Sequence, residues 1–151
     1  MATSFRGWSD AALDFYRRLE AQNNRTFWTA NRATYDAEVK APFDALSDLV
    51  ADEFGPLKVF RPNRDMRFSK DKSPYKTRCY AVGEGTGGES YYVEISAAGL
   101  VTGSGYWMMA SDQVARYREA VDTEKTGSEL EQIISEIERT HPELIVDELD
   151  P

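Results

Sequence analysis

The sequence predicts an α+β fold: a mostly antiparallel sheet packed against helices drawn from both ends of the chain. Apolar residues recur at helical spacing up to Phe54 and again after Ser111. Between Leu57 and Tyr106 the period drops to two and glycine-rich connections appear. At 151 residues the chain reads as one domain with enough length to bury a core. It is helical over 9–54, sheet over 57–106 and helical over 111–140, with a loose acidic tail over 142–151.

Ser9 is a good N-cap for the first helix, with Trp8 and Leu13 spaced as a hydrophobic staple. Ala12, Phe15, Tyr16 and Leu19 give that helix one apolar face. Asn24 or Thr26 caps a second helix whose inward stripe is Trp28, Asn31, Tyr35 and Val39. Asn31 is the polar member of that stripe, either satisfied locally or lining a site. Pro42 suits the first turn of a third helix, which carries Phe43, Leu46, Val50 and Phe54 and stops at Gly55-Pro56.

Strands are expected at 57–61, 76–82, 91–97 and 100–106, with a further extended piece through Met66-Arg67-Phe68. The third of these puts Tyr91, Val93, Ile95 and Ala97 on one face, and Tyr92, Glu94 and Ser96 on the other. A hairpin closed around Gly85–Gly88 would bring Arg78 near Glu94 and Tyr80 near Tyr92. Ser111 or Asp112 then caps a helix with Val114, Tyr117 and Val121 inward. A last helix starts at Ser128-Glu-Leu-Glu131 and ends at His141-Pro142.

Composition removes several functions. A net charge of −8 disfavours general nucleic-acid coating, which needs a broadly basic face. The single cysteine, Cys79, permits neither an internal disulfide nor a cysteine metal cluster, and His141 is the only histidine, so no metal site is expected. Gly83-Glu-Gly-Thr-Gly-Gly88 matches a dinucleotide-binding pattern in letters alone, because a strand rather than a helix follows it. No cofactor is therefore expected. No apolar signal core opens the chain and no run nears the roughly 18 residues of a membrane span, so a cytoplasmic protein without membrane contact is expected.

One stretch stands apart. Residues 61–78 hold seven of the 18 lysines and arginines against two acids, a net +5 that leaves −13 on the rest of the chain. Arg61, Arg64 and Arg67 offer planar forks suited to carboxylate or phosphate. They are interleaved with Phe60, Met66, Phe68 and Tyr75, so partial burial is expected, and buried arginines need partners. Those partners are either internal, from Asp65, Asp71 and Glu94, or in part a bound anion.

This stretch resembles the bacterial domain of unknown function 2461. The resemblance rests on Arg61, Arg64, Asp65, Arg67 and Phe68, followed by Asp71, Lys72 and Tyr75. It extends through Asn24–Trp28, Asn31, Tyr35, Pro42-Phe43, Tyr91–Ser96, Gly103–Gly105 and Val114–Val121. Family members commonly run longer, with further basic and glycine-containing segments, where this chain stops at Pro151. The resemblance implies no activity, since none is assigned to the family.

The leading expectation is a discrete anion-binding domain for a phosphorylated small molecule or a nucleic-acid phosphate. Arg61, Arg64, Arg67, Lys72 and Lys76 supply charge and Tyr75 a hydrogen bond, supported by Asp65, Asp71, Arg78, Glu94 and Asn31. A second reading makes the arginines an internal ion-pair network in a protein-interaction domain. A third is a phosphate-directed enzyme using Asp65 or Asp71 with Mg²⁺, which needs both carboxylates near a common point. No complete catalytic constellation is present, so catalytic residues and oligomeric state stay open.

Overall fold

Ser9 holds the extended backbone of an N-cap, and helix α1 runs Asp10–Ala21 from it. The Ser9 hydroxyl donates not into its own helix but to Glu38 Oε2, at 2.6 Å. The computed structural model describes residues 4–67, 70–85 and 88–144, which fall into the units Met1–Trp107 and Met108–Pro151.

In the first unit, α2 (Arg25–Thr34) starts at Asn24, whose side chain accepts the Phe27 N–H at 2.9 Å. The expected break before Pro42 does not occur. A π-helical turn, Tyr35–Lys40, leads directly into α3 (Ala41–Phe54), and the Ala41 N–H bonds to Asp36 O. Proline has no N–H to give and its ring crowds the carbonyl four residues back, so a wider turn just before it accommodates the mismatch. Trp8 Nε1 donates to Val39 O in this turn, at 3.3 Å. Gly55, at φ +73°, ends α3.

The sheet is antiparallel in the order β1-β2-β3-β4, formed by Lys58–Val59, Arg78–Glu84, Ser90–Ser96 and Gly99–Gly105. The fold class is α+β. Cys79, Ala81 and Ile95 turn one face of the sheet to the helices, where they meet Ala12, Phe15, Tyr16, Leu19, Trp28, Tyr35, Val39 and Phe43. Burial raises the Cys79 thiol pKa to about 11, so it stays protonated beside the Tyr35 hydroxyl, at 3.8 Å. Gly83 lies where a Cβ would meet Leu57 Cδ2 at 3.0 Å and Phe54 O at 3.2 Å, which fixes how closely the end of α3 approaches the sheet. Strand β4 extends past this layer, with Leu100 and Val101 exposed on opposite faces.

The basic stretch forms a loop between β1 and β2, not a further strand. Among the described residues only an isolated bridge, Asn63 with Tyr75, pairs it, and Phe68 lies outside them. Arg64 N donates to Pro74 O at 2.9 Å and Lys76 N to Pro62 O at 2.8 Å. Tyr75 pins this loop to the helices. Its ring stacks on Trp28 at 4.2 Å and 10°, while Asn23 accepts from its N–H at 3.1 Å and donates to its C=O at 2.8 Å.

In the second unit, α4 (Ser111–Asp122) and α5 (Glu124–Thr140) form a helical pair. Ala110, rather than Ser111 or Asp112, is the N-cap of α4, and its N–H donates to Gln113 Oε1 at 2.8 Å. Helix α5 begins at Glu124, four residues before the expected capping box, because the extended backbone at Thr123 already breaks the chain direction. Val114, Val121, Leu130, Ile134 and Ile137 are only half-buried, and Tyr117 and Ile133 are exposed. The expectation of an inward Tyr117 is corrected: α4 and α5 contain no fully buried residue. His141 ends α5 as expected, and residues 145–151 of the acidic tail lie outside the described set.

The clamp on Tyr75 predicts a specific cost. Asn23→Ala leaves a partly buried N–H and C=O without partners, and should destabilise by about 2 kcal/mol in urea denaturation. A loss below about 0.5 kcal/mol would contradict the clamp.

Candidate functional site

Two of the three motif arginines, Arg64 and Arg67, are engaged by acids of their own loop. Arg67 forms a fork on Asp65, with Nε–Oδ1 at 3.0 Å and Nη2–Oδ2 at 2.6 Å, and its backbone N–H adds a third bond at 3.1 Å. Arg64 Nη1 donates to Asp71 Oδ2. Asp71 also closes a turn by accepting from the Ser73 N–H at 2.9 Å and the Ser73 hydroxyl at 2.5 Å. Lys72 Nζ donates to Met66 O at 2.9 Å. Arg61 is exposed and makes no ion pair among the described residues.

Burial of this motif is slighter than its aromatic content suggests. Arg64 is about a quarter exposed, but Arg67 is 77% exposed. The two carboxylates serve different arginines, and no group of three metal-binding side chains occurs among the described residues. Asp65 is held below its ordinary pKa first by the Arg67 side chain and then by the Arg67 N–H. Asp71 is held below it first by the Ser73 hydroxyl and N–H. Both are therefore anions, acting as acceptors in a loop framework rather than as a tuned acid or base.

Other predicted residues reach the far face of the sheet. Strand pairing sets Tyr80 against Glu94 and Val82 against Tyr92, two residues away from a register placing Arg78 directly opposite Glu94. A slip of two keeps every side chain on its face. Arg78 thus still meets Glu94 diagonally, Nε–Oε2 at 3.4 Å, and Tyr80 still meets Tyr92, with ring centroids 5.8 Å apart. Phe60 stacks on Tyr80 at 4.6 Å, so Phe60, Tyr80 and Tyr92 form a diagonal aromatic ladder.

Cations crowd this ladder. Lys76 Nζ lies 4.8 Å from the Tyr80 ring centre and 5.6 Å from that of Phe60, and donates to the Tyr80 hydroxyl at 3.3 Å. Lys58 Nζ is 5.4 Å from the Phe60 ring centre, and Arg78 Cζ is 5.8 Å from that of Tyr80. Glu94, 9% exposed, is the buried acid here; it accepts from the Tyr92 hydroxyl. Burial, then that bond, raises the Tyr92 pKa to about 12, so the phenol keeps its proton and donates. Three positive charges thus border the aromatic ladder, one of them, Arg78, paired with the anchored Glu94 carboxylate, and α1 to α3 pack on the opposite face of the sheet.

A family model for conserved hypothetical proteins, DUF2461, matches residues 11–149. The chain belongs to the DUF2461 family. Neither curated proteins nor solved structures match it significantly. In this DUF2461 chain the predicted residues do not converge on one place. Arg64, Arg67, Asp65, Asp71 and Lys72 stay in the motif loop, whereas Lys76, Arg78 and Glu94 join the sheet face. Tyr75 is buried in the core clamp, and Asn31 is satisfied on the helices by donating to Phe27 O and accepting from Arg18, at 2.8 and 3.0 Å.

Asn23 and Lys58 were absent from the predicted set. Asn23 reads in sequence as a helix end, and nothing local points 52 residues on to Tyr75. Lys58 was detectable, being two residues from Phe60 in an alternating segment.

The acid–arginine framework predicts a titration. A carboxyl whose folded pKa is lowered adds stability that is present above its unfolded value and is lost as pH falls through the folded one. Carboxyl-carbon NMR should give Asp65 and Asp71 midpoints below 3.8, with the amides of Arg67 and Ser73 shifting in step. Midpoints at or above 3.8 would contradict the pairing.

Proposed function

We propose that this chain is an anion-binding domain whose recognition surface is the sheet face carrying Phe60, Tyr80 and Tyr92. Lys76 and Arg78 grip the anion and Lys58 adds charge at the Phe60 end. The observation that carries this reading is the gathering of three cations over one aromatic ladder on the face away from α1 to α3. Cations resting on aromatic rings are restrained in position, and a cluster of them favours a phosphate or carboxylate group.

Within this reading the motif arginines serve the fold. Arg64 and Arg67 are engaged by Asp71 and Asp65, which supports the internal-network role for that part of the motif. The network holds the loop that delivers Lys76 and Arg78 to the sheet. The reading with Mg²⁺ on Asp65 and Asp71 is left aside, since each carboxylate faces its own arginine.

Calorimetric titration with inorganic pyrophosphate tests the assignment. Lys76→Ala and Arg78→Ala should each weaken binding about tenfold or more, as expected for loss of a charge-assisted hydrogen bond. Arg64→Ala should instead leave affinity near that of the wild type and lower stability by about 0.5–1 kcal/mol, the scale of a partly exposed ion pair. Loss of binding in Arg64→Ala alone, with its fold intact by circular dichroism, would return the site to the motif loop.

A further inference from the structure

Strand β4 ends the aromatic ladder with a gap. The residue directly opposite Tyr92 on β4 is Gly103, and the next positions on the same face are Val101 and Gly105. Gly99 and Gly105 have φ of +118° and +155°, a backbone that asks for glycine. Gly103 has no such conformation, and a Cβ built on it would meet nothing within 4 Å. Pairing of β3 with β4 runs without interruption from Ser90–Gly105 to Ser96–Gly99, so no bulge explains it either. A glycine inside a regular strand weakens that strand, and its remaining explanation is the close approach of another group.

The gap lies where a further rung would stand. Phe60 just past β1, Tyr80 on β2 and Tyr92 on β3 follow one another at centroid spacings of 4.6 and 5.8 Å, and at β4 the side chain is missing. Tyr92 is fixed for the purpose, because its hydroxyl donates to Glu94, which in turn meets Arg78. The bare strand thus sits beside an oriented ring, and the guanidinium of Arg78 shares a carboxylate oxygen with that ring's hydroxyl.

We infer that this face takes a nucleotide, with its base stacked on Tyr92 above Gly103 and its phosphate on Arg78 and Lys76. The inference rests on the anion-binding reading of the same face and adds the planar ring to it. Base stacking on an aromatic side chain is tolerant of base identity, so the assignment is to a class, a planar heterocycle bearing phosphate. On this face β4 contributes only Gly99, Val101, Gly103 and Gly105, all uncharged, and Glu94 opposite Val101 is engaged by Tyr92 and Arg78.

The experiment compares adenosine 5′-monophosphate, ribose 5-phosphate and inorganic phosphate by calorimetry on the full chain and on Gly103→Val. In the wild type the adenine ring should tighten binding about tenfold over ribose 5-phosphate, within the range known for base stacking. Gly103→Val, with a β-favouring side chain in the gap, should keep or raise Tm and preserve the binding of inorganic phosphate. It should abolish the adenine advantage. Equal wild-type affinities for the two ribose phosphates would overturn the inference while leaving anion binding intact, as would an adenine advantage that survives in Gly103→Val. Failure of all three anions to bind would overturn the anion-binding reading itself. Should Gly103→Val misfold, Tyr92→Leu provides the same comparison, with loss of the adenine advantage expected and its survival contrary. A five-nucleotide oligoadenylate separates the sources of this chemistry. Affinity equal to the monophosphate assigns a free nucleotide, at least about tenfold tighter binding assigns a single strand, and both sustain the stacking.

Discussion

The contact between Tyr75 and Trp28, stacked at 4.2 Å, joins the basic loop to the helical layer, and Asn23 locks it by taking both backbone groups of Tyr75. The clamp fixes where the chain enters β2. Lys76 follows Tyr75 immediately, and β2 begins at Arg78, so the cations of the sheet face are one and three residues from the anchor. The clamp also explains why a strongly charged loop is held in a defined path. The aromatic stack and two hydrogen bonds act at one end, and the Arg64–Asp71 and Arg67–Asp65 pairs act along its length. Exposed pairs of this kind are individually weak, at about 0.2–1 kcal/mol, so the buried anchor dominates.

Much of the fold was legible because it rests on periodicity. Phe15, Tyr16, Leu19, Trp28, Tyr35 and Val39 are buried as their helical spacing requires, and the strand alternation correctly separated Ile95 from Tyr92 and Glu94. The π-helical turn was less legible, because a proline at Pro42 is consistent both with a new helix and with a widened turn in a continuing one. The start of α5 was missed for a related reason. Ser128 has the letters of a capping box, but the backbone had already turned at Thr123, and a local motif inside an established helix has no terminus to cap.

The candidate site was legible in composition but not in geometry. Arginine's fork fits a carboxylate as well as a phosphate, so the residues alone do not say which one it holds. The answer depends on pairs such as Arg64 with Asp71, which a loop path creates and no helical or strand spacing announces. The sheet face was closer to view. Arg78, Glu94, Tyr80 and Tyr92 are brought together by alternation, and the two-residue difference in register leaves their face unchanged. Alternation also sets Lys76 with Arg78 and Tyr80, and Lys58 with Phe60; what it does not fix is the pairing of β1, only two residues long, that brings Phe60 against Tyr80.

The proposed function divides one basic stretch: its first half organises the loop, and its end, with β1 and β3, would form the recognition surface. Backbone amide chemical shifts recorded during a pyrophosphate titration of the full chain test this most directly. Perturbations are expected at Lys58–Phe60, Lys76–Tyr80, Tyr92–Glu94 and Val101–Gly103, with Arg64, Asp65, Arg67 and Asp71 largely unmoved. Perturbations concentrated at Arg61–Lys72, with the sheet amides unmoved, would contradict it.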